Sequence, residues 1–291
     1  MTKTFSNIIY LFLKFLNKIF YFLFKKNFLY WIRYFLEKDA YKSLTINSEK
    51  KLKLFSPNIL TEDLINDFFV KEPETLNWID KFDDTKKSYF WDIGSNIGLY
   101  SVYAATVKNN ISVVSFEPST SNLRILSRNI SINNLQKKIK IFQIPLTDKK
   151  NTFLEIFERK FGEGESHNTL DENIGFDGKK IISNNSYKLF SSSIDQLIDD
   201  KILNIPNYIK IDVDGLEHLI LKGALKTLKS PDILEIQIEI NELFSEQKKS
   251  IFQILEGCNF IFKEKKRNEF SKYYISKEFS KIYNYYFIKK G

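Results

Sequence analysis

The 291-residue sequence has few of the side chains that bind transition metals or form disulfides. Its single cysteine, Cys258, excludes a disulfide framework and a cysteine-based zinc site, and it is typical of a reducing compartment. Its two histidines, His167 and His218, leave almost no imidazole for a zinc enzyme. The apolar share of 43% is near the globular norm and excludes wholesale disorder. The sequence also lacks internal repeats and any Gly-, Ser- or Pro-rich linker.

Positive charge is concentrated at the two ends of the chain. The net charge is +8, residues 1–38 hold seven basic residues and one acid, and residues 261–291 hold nine basic residues and three acids. The middle of the chain is therefore mildly acidic. A nucleic-acid enzyme usually has its basic patch around its active site. This distribution argues against a nucleic-acid substrate and favours an anionic membrane surface, or simple solubility, as the reason for the charge.

The first forty residues are rich in large apolar and aromatic side chains. Between residues 5 and 24, Asn7, Lys14 and Lys18 would form one polar stripe on a helix. The thirteen Ile, Leu and Phe residues of this stretch each contribute roughly −0.5 kcal/mol to the free energy of insertion into a bilayer, and the two lysines cost about +3 kcal/mol each. The free energy of insertion as a spanning helix is therefore close to zero. Either the helix packs on the domain with its lysines outward, or residues 5–38 lie on an anionic membrane. We expect a cytoplasmic protein, free or at the inner face of the membrane.

From residue 88 onward, short apolar runs alternate with helical patterns, which predicts βαβ units and a parallel sheet. The predicted strands cover residues 88–93, 111–116, 138–144, 207–212, 232–240, 259–264 and 282–288. The predicted helices cover residues 97–108, 119–133, 195–201, 215–229 and 246–257. Residues 147–194 are predicted to be irregular apart from two strand-like pieces, 152–157 and 187–190. We divide the chain into a helical, basic and aromatic extension, residues 1–85, and an α/β domain, residues 86–291.

The first motif is a strand that ends in an acid and is followed by a turn with two glycines. It covers residues 90–101 and includes Asp92, Gly94 and Gly98. In nucleotide-binding folds such a turn brings the backbone close to a ligand and directs helix amides at it. A second acid, Glu117, ends the next predicted strand, where it is placed to accept the hydroxyl groups of a ribose.

These two features imply a ligand that has a ribose but no polyphosphate. The turn lacks the Lys-Ser/Thr pair of a phosphate-binding loop. It has Asn96 where a nicotinamide-binding fingerprint has its middle glycine, which argues against a dehydrogenase. S-adenosylmethionine is a ligand of the required kind. An ordinary strand-to-helix turn and a solvated strand-end acid are the alternative explanation of the same residues.

A third motif, residues 208–218, places acids at the end of a later strand, beside the point where open α/β sheets bind ligands. Asp212 ends this strand and is the first candidate for a general base. Asp214 and Glu217 precede a helix in a pattern like a capping box, so Glu217 is equally explained as a cap and as a functional acid. His167, in a glycine-rich loop, is a further candidate base, although a solvent-exposed loop histidine explains it as well.

Several stretches resemble the FkbM-type S-adenosylmethionine-dependent methyltransferases. They are WDIGSNIGLYS (91–101), FEPSTSNLRILSRNISINN (116–134), SSIDQLI (192–198), IKIDVDGLEHLILKGALKTL (209–228) and PDILEIQIEIN (231–241). The resemblance implies a Rossmann-like sheet of seven strands whose last strand is antiparallel. It implies that the cofactor is bound by Asp92, Gly94, Ser95, Asn96, Gly98, Glu117, Pro118 and Asn122. Asp195, Asp212, Asp214, Gly215 and Glu217 match later positions of the family pattern.

Members of this family methylate hydroxyl groups, often on sugars of glycans or natural products. The resemblance therefore implies an S-adenosylmethionine-dependent O-methyltransferase with a small-molecule or glycan acceptor. A sugar hydroxyl is a poor nucleophile and needs a base, for which the candidates are Asp212, Glu217 and His167. A divalent cation held by the same acids is another way to activate the hydroxyl, and the sequence leaves metal dependence open. The alternative function is a membrane-associated Rossmann-like binding protein that has lost catalysis.

Overall fold

The computed structural model describes residues 1–166, 168–170, 183, 185–267 and 280–291. Its strands are β1 (Tyr41–Thr45), β2 (Lys51–Phe55), β3 (Ser88–Ile93), β4 (Ile111–Phe116), β5 (Ile139–Phe142), β6 (Thr152–Glu158), β7 (Thr169–Leu170), β8 (Asn185–Ser191), β9 (Tyr208–Ile211), β10 (Glu235–Asn241), β11 (Phe260–Lys266) and β12 (Ile282–Lys289). Its helices are α1 (Thr2–Phe24), α2 (Leu29–Asp39), α3 (Ile59–Asn66), α4 (Phe68–Lys71), α5 (Pro73–Asp80), α6 (Leu99–Val107), α7 (Thr120–Ile132), α8 (Ile194–Asp199), α9 (Glu217–Lys222) and α10 (Ser245–Gly257).

Seven strands form the main sheet, in the order β11–β12–β10–β9–β3–β4–β5. The central strands from β10 to β5 are parallel, whereas β12 is antiparallel to both of its neighbours. This order confirms the predicted Rossmann-like sheet with an antiparallel last strand. After β3 the chain forms β4 on one side of β3, and much later it forms β9 on the other side of β3. The carboxyl ends of β3 and β9 therefore flank the crevice in which such sheets bind ligands.

Each face of the sheet is covered by its own apolar layer. Phe90 and Trp91, both fully buried, point to opposite faces because side chains alternate along a strand. The layer around Phe90 also contains Leu54, Phe68 and Ile79. The hairpin and the short helices that precede β3 thus share a core with the sheet. This core contains residues from both sides of the predicted division at residue 85.

Two local features differ from the prediction and one confirms it. β1 and β2 form an antiparallel hairpin where no strand was predicted. The helix predicted at 215–229 ends at Lys222, and Gly223 follows as its cap. A Cβ on Gly223 would lie 2.1 Å from the carbonyl oxygen of Thr147, so this close approach needs glycine. The two strand-like pieces within 147–194 are confirmed as β6 and β8, which form a three-stranded sheet with β7.

The first two helices add nothing to either apolar layer. Neither α1 nor α2 has a buried residue. The two helices contact each other through Phe20 and Phe28, whose ring centroids are 5.5 Å apart, and Asn17 accepts the amide proton of Leu29. By length and composition α1 could cross a membrane, and none of its apolar stretch is buried. In the structure α1 therefore buries no side chain against the domain.

Candidate functional site

A cavity of about 510 Å³ lies at the carboxyl ends of β3, β4, β9 and β10. Residues of α3 and α4 and residues 164–166 and 168–170 complete its wall. Its volume is within the range of about 300–1,000 Å³ that is typical of small-molecule sites. This cavity contains most of the residues that the sequence singled out. Those in its wall are Gly94, Ser95, Asn96, Glu117, Pro118, Asn122, Asp212 and Asp214.

The turn after β3 is held against both neighbouring strands. Gly94 has a φ of 83°, and a Cβ there would lie 1.8 Å from the backbone oxygen of Asp212. Only glycine therefore lets this turn touch the end of β9. The amides of Gly94 and Ser95 donate to the carbonyl of Phe116, each at 3.0 Å. The turn thus fixes the ends of β9 and β4 relative to each other.

Glu117 follows β4 and is almost fully buried beside this turn. Its carboxylate accepts the amide protons of Asn96 at 2.7 Å and Ser119 at 2.9 Å. Burial raises the pKa of Glu117 to about 7, although these amide bonds favour the charged form. A carboxylate has about four acceptor positions, so Glu117 can also accept hydroxyl protons from a ligand.

The two asparagines predicted to bind the cofactor, Asn96 and Asn122, position a loop at the cavity wall. The side-chain oxygen of Asn122 accepts the amide proton of Gly164 at 2.8 Å, and its Nδ2 donates to the carbonyl of Glu165 at 3.0 Å. Asn96 donates to the same carbonyl at 3.2 Å. Both side chains therefore determine how residues 164–166 close this side of the cavity.

The same loop is connected to α2 through α7. Nη1 of Arg124 donates to Glu163 at 2.7 Å, and Nη2 lies 3.7 Å from Oε1 of Glu37. Arg128, one helical turn later, pairs with Glu37 at 2.5 Å and stacks 3.8 Å from the ring centroid of Phe55. The end of α2 is thus fixed to the domain beside the loop of the cavity.

Another part of the cavity gathers charged residues from distant parts of the chain. Carboxylate oxygens of Glu72, Asp212 and Glu239 all lie within 4.8 Å of one another. Nζ of Lys210 is 2.8 Å from Oδ2 of Asp212, and Nζ of Lys71 is 3.5 Å from Oε1 of Glu72. Only Asp212 was predicted among these five. Lys210 and Glu239 have a signal in the sequence that was not used. Each is a charged residue between two isoleucines of a strand, IKI (209–211) and EIQIEI (235–240).

Burial and the neighbouring charges shift the pKa values of the acids and lysines in this cluster. Burial, followed by the charges of Asp212 and Glu72, raises the pKa of Glu239 well above its ordinary value. Burial lowers the pKa of Lys210, but the attraction of Asp212 and other acids outweighs it, so the pKa is raised overall. The pKa of Lys71 is raised for the same reason. Burial and repulsion thus favour the protonated form of Glu239, and the surrounding acids favour the charged forms of Lys71 and Lys210.

Asp92 and Gly98 support the turn from behind rather than line the cavity. Asp92 is fully buried, and its Oδ2 accepts the hydroxyl proton of Ser101 at 2.6 Å, which links β3 to α6. A Cβ on Gly98 would lie 2.3 Å from Cδ1 of Leu126, so this glycine lets α6 approach α7. Both residues, predicted to bind the cofactor, are therefore outside the described cavity wall and support the turn that lines it.

Glu217 is also outside the cavity wall. Its Oε1 accepts the amide protons of Val213 at 3.2 Å and Gly215 at 3.1 Å, and its Oε2 accepts from Gln247. Its carboxylate therefore holds the loop that leads into α9, and α9 itself has no side-chain cap. Asp195 likewise binds the backbone amide of Thr227 at 2.7 Å.

His218 is not part of the described cavity wall. His218 is half-buried and packs on Phe244 with ring centroids 6.2 Å apart. His167, the remaining candidate base, lies outside the described residues. Asp212 is therefore the predicted base that the structure places in the wall.

Part of the chain matches a known protein family, and two curated proteins are similar to it. Residues 92–262 match the methyltransferase FkbM domain. The chain is 26% identical over 175 residues to the hexuronic acid methyltransferase AglP of Haloferax volcanii, a match that covers 55% of this chain and 62% of AglP. It is 27% identical over 183 residues to the methyltransferase sdnD of Sordaria araneosa, covering 54% of this chain and 68% of sdnD. The match thus spans about three fifths of AglP.

Solved structures of methyltransferases are also similar to this chain. One is the methyltransferase FkbM from Methylobacillus flagellatus KT, with a TM-score of 0.45 and 17% identity, covering 71% of this chain and 44% of that chain. Another is a precorrin-6y C5,15-methyltransferase from Geobacter metallireducens GS-15, with a TM-score of 0.43 and 14% identity, covering 75% of this chain and 87% of that chain.

The family match covers more than half of the chain. It includes the glycine turn, Glu117 and the acids that follow β9, which are the residues that carried the resemblance. The resemblance is thereby confirmed, and the chain belongs to the FkbM methyltransferase family.

Proposed function

We propose that the chain transfers a methyl group from S-adenosylmethionine to a hydroxyl group of a sugar or glycan acceptor. One observation carries the proposal: a single glycine turn holds two different carboxylates in one cavity. The amide of Asn96 binds Glu117 at 2.7 Å, and Gly94 touches the backbone of Asp212. The cavity therefore offers an acceptor for ribose hydroxyls and an acceptor for the proton of a substrate at fixed positions.

The residues of the cavity fit this cofactor. Glu117 would accept hydroxyl protons of the ribose, and the apolar side chains of Pro118, Ile144 and Pro145 would cover the faces of the adenine. An excess of acids in the wall suits a ligand with a positively charged sulfur. The acids in the described wall are Asp63, Asp67, Glu72, Glu117, Glu165, Asp212, Asp214 and Glu239, and the lysines are Lys71 and Lys210.

When bound, S-adenosylmethionine supplies an electrophilic methyl group on its sulfonium. Asp212 is placed to take the proton of the acceptor hydroxyl, since its side chain is 26% exposed and lines the cavity. Lys210 is buried and fixes one oxygen of Asp212 at 2.8 Å, which orients the other oxygen. Glu239, whose pKa burial raises, lines the same part of the cavity and offers a further polar contact to the acceptor. Orientation of the hydroxyl is then a large part of the rate enhancement.

The acceptor class is supported by the relatives and by the chemistry of the wall. AglP is named as a hexuronic acid methyltransferase, and sdnD as a methyltransferase. A wall of carboxylates, ammonium groups and amides offers the donors and acceptors that a ligand rich in hydroxyls needs. The match spans 62% of AglP. We therefore propose a sugar hydroxyl as the class of acceptor for this chain and do not assign it the particular sugar of AglP.

A divalent cation is the other way to activate a hydroxyl. Glu72, Asp212 and Glu239 offer oxygen donors of the kind that Mg²⁺ prefers. However, Lys71 and Lys210 already pair with two of these three carboxylates. We therefore propose proton transfer to Asp212 without a metal, and loss of turnover after treatment with a chelator would contradict this part of the mechanism.

The substitution Glu117→Ala tests the cofactor site. It removes two charge-assisted hydrogen bonds of about 1.5–3 kcal/mol each, so calorimetry should show at least about tenfold weaker binding of S-adenosylmethionine. Glu49→Ala, at an exposed acid in the β1–β2 turn, is the matched control and should bind normally. An unchanged dissociation constant for Glu117→Ala would contradict the assignment. Binding without methyl transfer to sugar acceptors would favour the alternative of a binding protein that has lost catalysis.

A further inference from the structure

The side chains of α1 are sharply divided between two sides of the helix. At about 100° per residue, the polar residues between 5 and 24 fall within a sector of about 120°. Tyr10 and Tyr21 fall in the same sector. The thirteen Ile, Leu and Phe residues of this stretch fill the remaining arc, about 220° wide. The polar residues are Ser6, Asn7, Lys14, Asn17 and Lys18.

The apolar arc is exposed. Phe12 and Phe15 are 58% and 59% exposed, and Phe22 is 75% exposed. On α2, Trp31 and Phe35 are exposed by 56% and 55%. A contiguous apolar surface of this kind marks an interaction site, because water is a poor solvent for it.

The charges beside this surface are almost all positive. Residues 1–38 hold seven basic residues, of which Lys3, Lys14 and Lys18 lie in the polar sector of α1. The only acid in this range, Glu37, pairs with Arg128 of the domain. The helices therefore present basic groups next to apolar ones, which matches an anionic lipid surface in both respects.

The width of the apolar arc favours lipid over a second copy of this chain. A partner helix covers a stripe of about 100° or somewhat more, so about half of this arc would stay in water. A lipid surface contacts the whole arc, because an interfacial helix sinks about 5–10 Å into the boundary of headgroups and acyl chains. A spanning helix would place Lys14 and Lys18 near the centre of the bilayer, at about 3 kcal/mol each.

We propose that α1, together with the aromatic side chains of α2, docks this protein on an anionic membrane as a peripheral interfacial helix. The apolar arc enters the lipid, and the lysine sector remains among the headgroups. This surface is separate from the proposed catalytic cavity, so it goes beyond the proposed methyl transfer and does not depend on it. It also sets the place of reaction, because Glu37 at the end of α2 is fixed to the α7 helix that holds the loop of the cavity.

Sedimentation of the full chain with vesicles tests this proposal. The protein should bind vesicles of phosphatidylcholine mixed with phosphatidylglycerol more tightly than vesicles of phosphatidylcholine alone. Raising the salt from about 0.1 M to about 1 M shortens the Debye length from about 10 to about 3 Å and should remove that difference. Alkaline carbonate should release the bound protein, as it does any peripheral protein.

Two substitutions with the same change in charge separate the lipid contact from electrostatics. Phe12→Glu lies in the apolar arc and should weaken binding by about tenfold to a hundredfold, because it removes a buried phenyl ring from the lipid contact. Asn7→Glu lies in the polar sector and should weaken binding only about fivefold, an effect that high salt abolishes. The loss caused by Phe12→Glu should persist at high salt. Both variants should keep the melting temperature of the parent, since α1 buries no residue.

Four results would overturn the proposal. They are equal losses for Phe12→Glu and Asn7→Glu, no binding to either vesicle, retention after alkaline carbonate, and self-association in light scattering that Phe12→Glu abolishes while vesicles have no effect. The third would indicate a spanning helix, and the fourth a second copy of the chain as the partner. Loss of cofactor binding in Glu117→Ala has no bearing on any of these outcomes.

Discussion

The α1–α2 helices and the cavity depart from the usual placement of side chains in opposite ways. Large apolar residues are normally buried and charged residues normally exposed. In α1 and α2, Phe12, Phe22 and Trp31 are more than half exposed. In and beside the cavity, Glu117 and Lys210 are almost fully buried. The α1–α2 helices thus expose large apolar side chains to water, and the cavity holds charged side chains away from it.

The comparison separates residues that stabilise the fold from residues that serve binding. The exposed apolar arc of α1 contributes no burial to folding, so the regular apolar pattern along these 20 residues needs another explanation. Buried charges cost desolvation energy that ion pairs and hydrogen bonds only partly offset. Both regions are therefore places where the chain gives up stability for contact with something else, which we propose to be lipid in one case and cofactor with acceptor in the other.

The largest expected effect is on catalysis in the cavity. Asp212→Asn removes the proposed proton acceptor, and turnover should fall by about 10²–10⁴-fold while the affinity for S-adenosylmethionine changes little. Steady-state kinetics and calorimetry on the same preparation measure the two quantities. Asp200→Asn, at an acid at the end of α8 outside the cavity wall, is the control and should retain full turnover. A stable and fully active Asp212→Asn enzyme would exclude the catalytic role.

The same substitution should have a large effect on stability in the core of the sheet and almost none in α1. Phe90→Ala empties a fully buried position and should lower the free energy of unfolding by about 3–5 kcal/mol. Phe12→Ala truncates a side chain that is 58% exposed, and the free energy of unfolding should change by less than about 0.5 kcal/mol. Urea unfolding of both variants measures the difference. A large loss for Phe12→Ala would show that α1 contributes to the folding core after all.

The buried carboxyl groups should make stability depend on pH. Folding raises the pKa of Glu117 and of Glu217 from 4.5 to about 7 because both are buried. Between these values the folded protein holds protons that the unfolded chain has lost, so the free energy of unfolding should fall as the pH rises from about 5 to about 7. The total change should be a few kcal/mol, with one pKa unit equivalent to 1.36 kcal/mol.

Glu117→Gln provides the control for this pH dependence. It removes one of the carboxyl groups whose pKa is raised, so the slope of stability against pH should become shallower in urea titrations at several pH values. His218 acts in the opposite direction, because burial lowers its pKa, and the comparison of variant with parent removes its contribution. An identical slope in both proteins would contradict the raised pKa of Glu117.

The smallest expected effect lies at the contact between the two regions. Arg124→Gln breaks the bond to Glu163, and the cavity loop should become less well held. Exposed ion pairs are worth about 0–1 kcal/mol, so the KM for S-adenosylmethionine should rise by up to about fivefold with little change in melting temperature. Arg128→Gln, which removes a contact to Glu37 but none to the loop, should leave this KM unchanged. Equal KM values for both variants would argue against a role of Arg124 in positioning the loop.

Much of the fold was predictable from local pattern. Strands 88–93 and 111–116 were predicted with the bounds that the structure has, because each is a short apolar run bounded by polar residues. The β1–β2 hairpin was missed, although residues 51–55 alternate between lysine and apolar side chains and Leu52 and Leu54 point inward. A run of five residues is too short to outweigh the polar residues around it.

The amino-acid sequence by itself determined the order of strands and helices, the glycine turn with Glu117, and the polar stripe of α1. These follow from periodicity and from backbone preferences that act over a few neighbouring residues. Only the tertiary structure brought Glu72 and Glu239 to Asp212 and removed Asp92 and Glu217 from the cavity wall. Such contacts join residues on different elements, 140 positions apart for Glu72 and Asp212 and 27 for Asp212 and Glu239, or depend on which way one carboxylate turns. No local pattern encodes them, because they are decided by how the sheet and its helices pack.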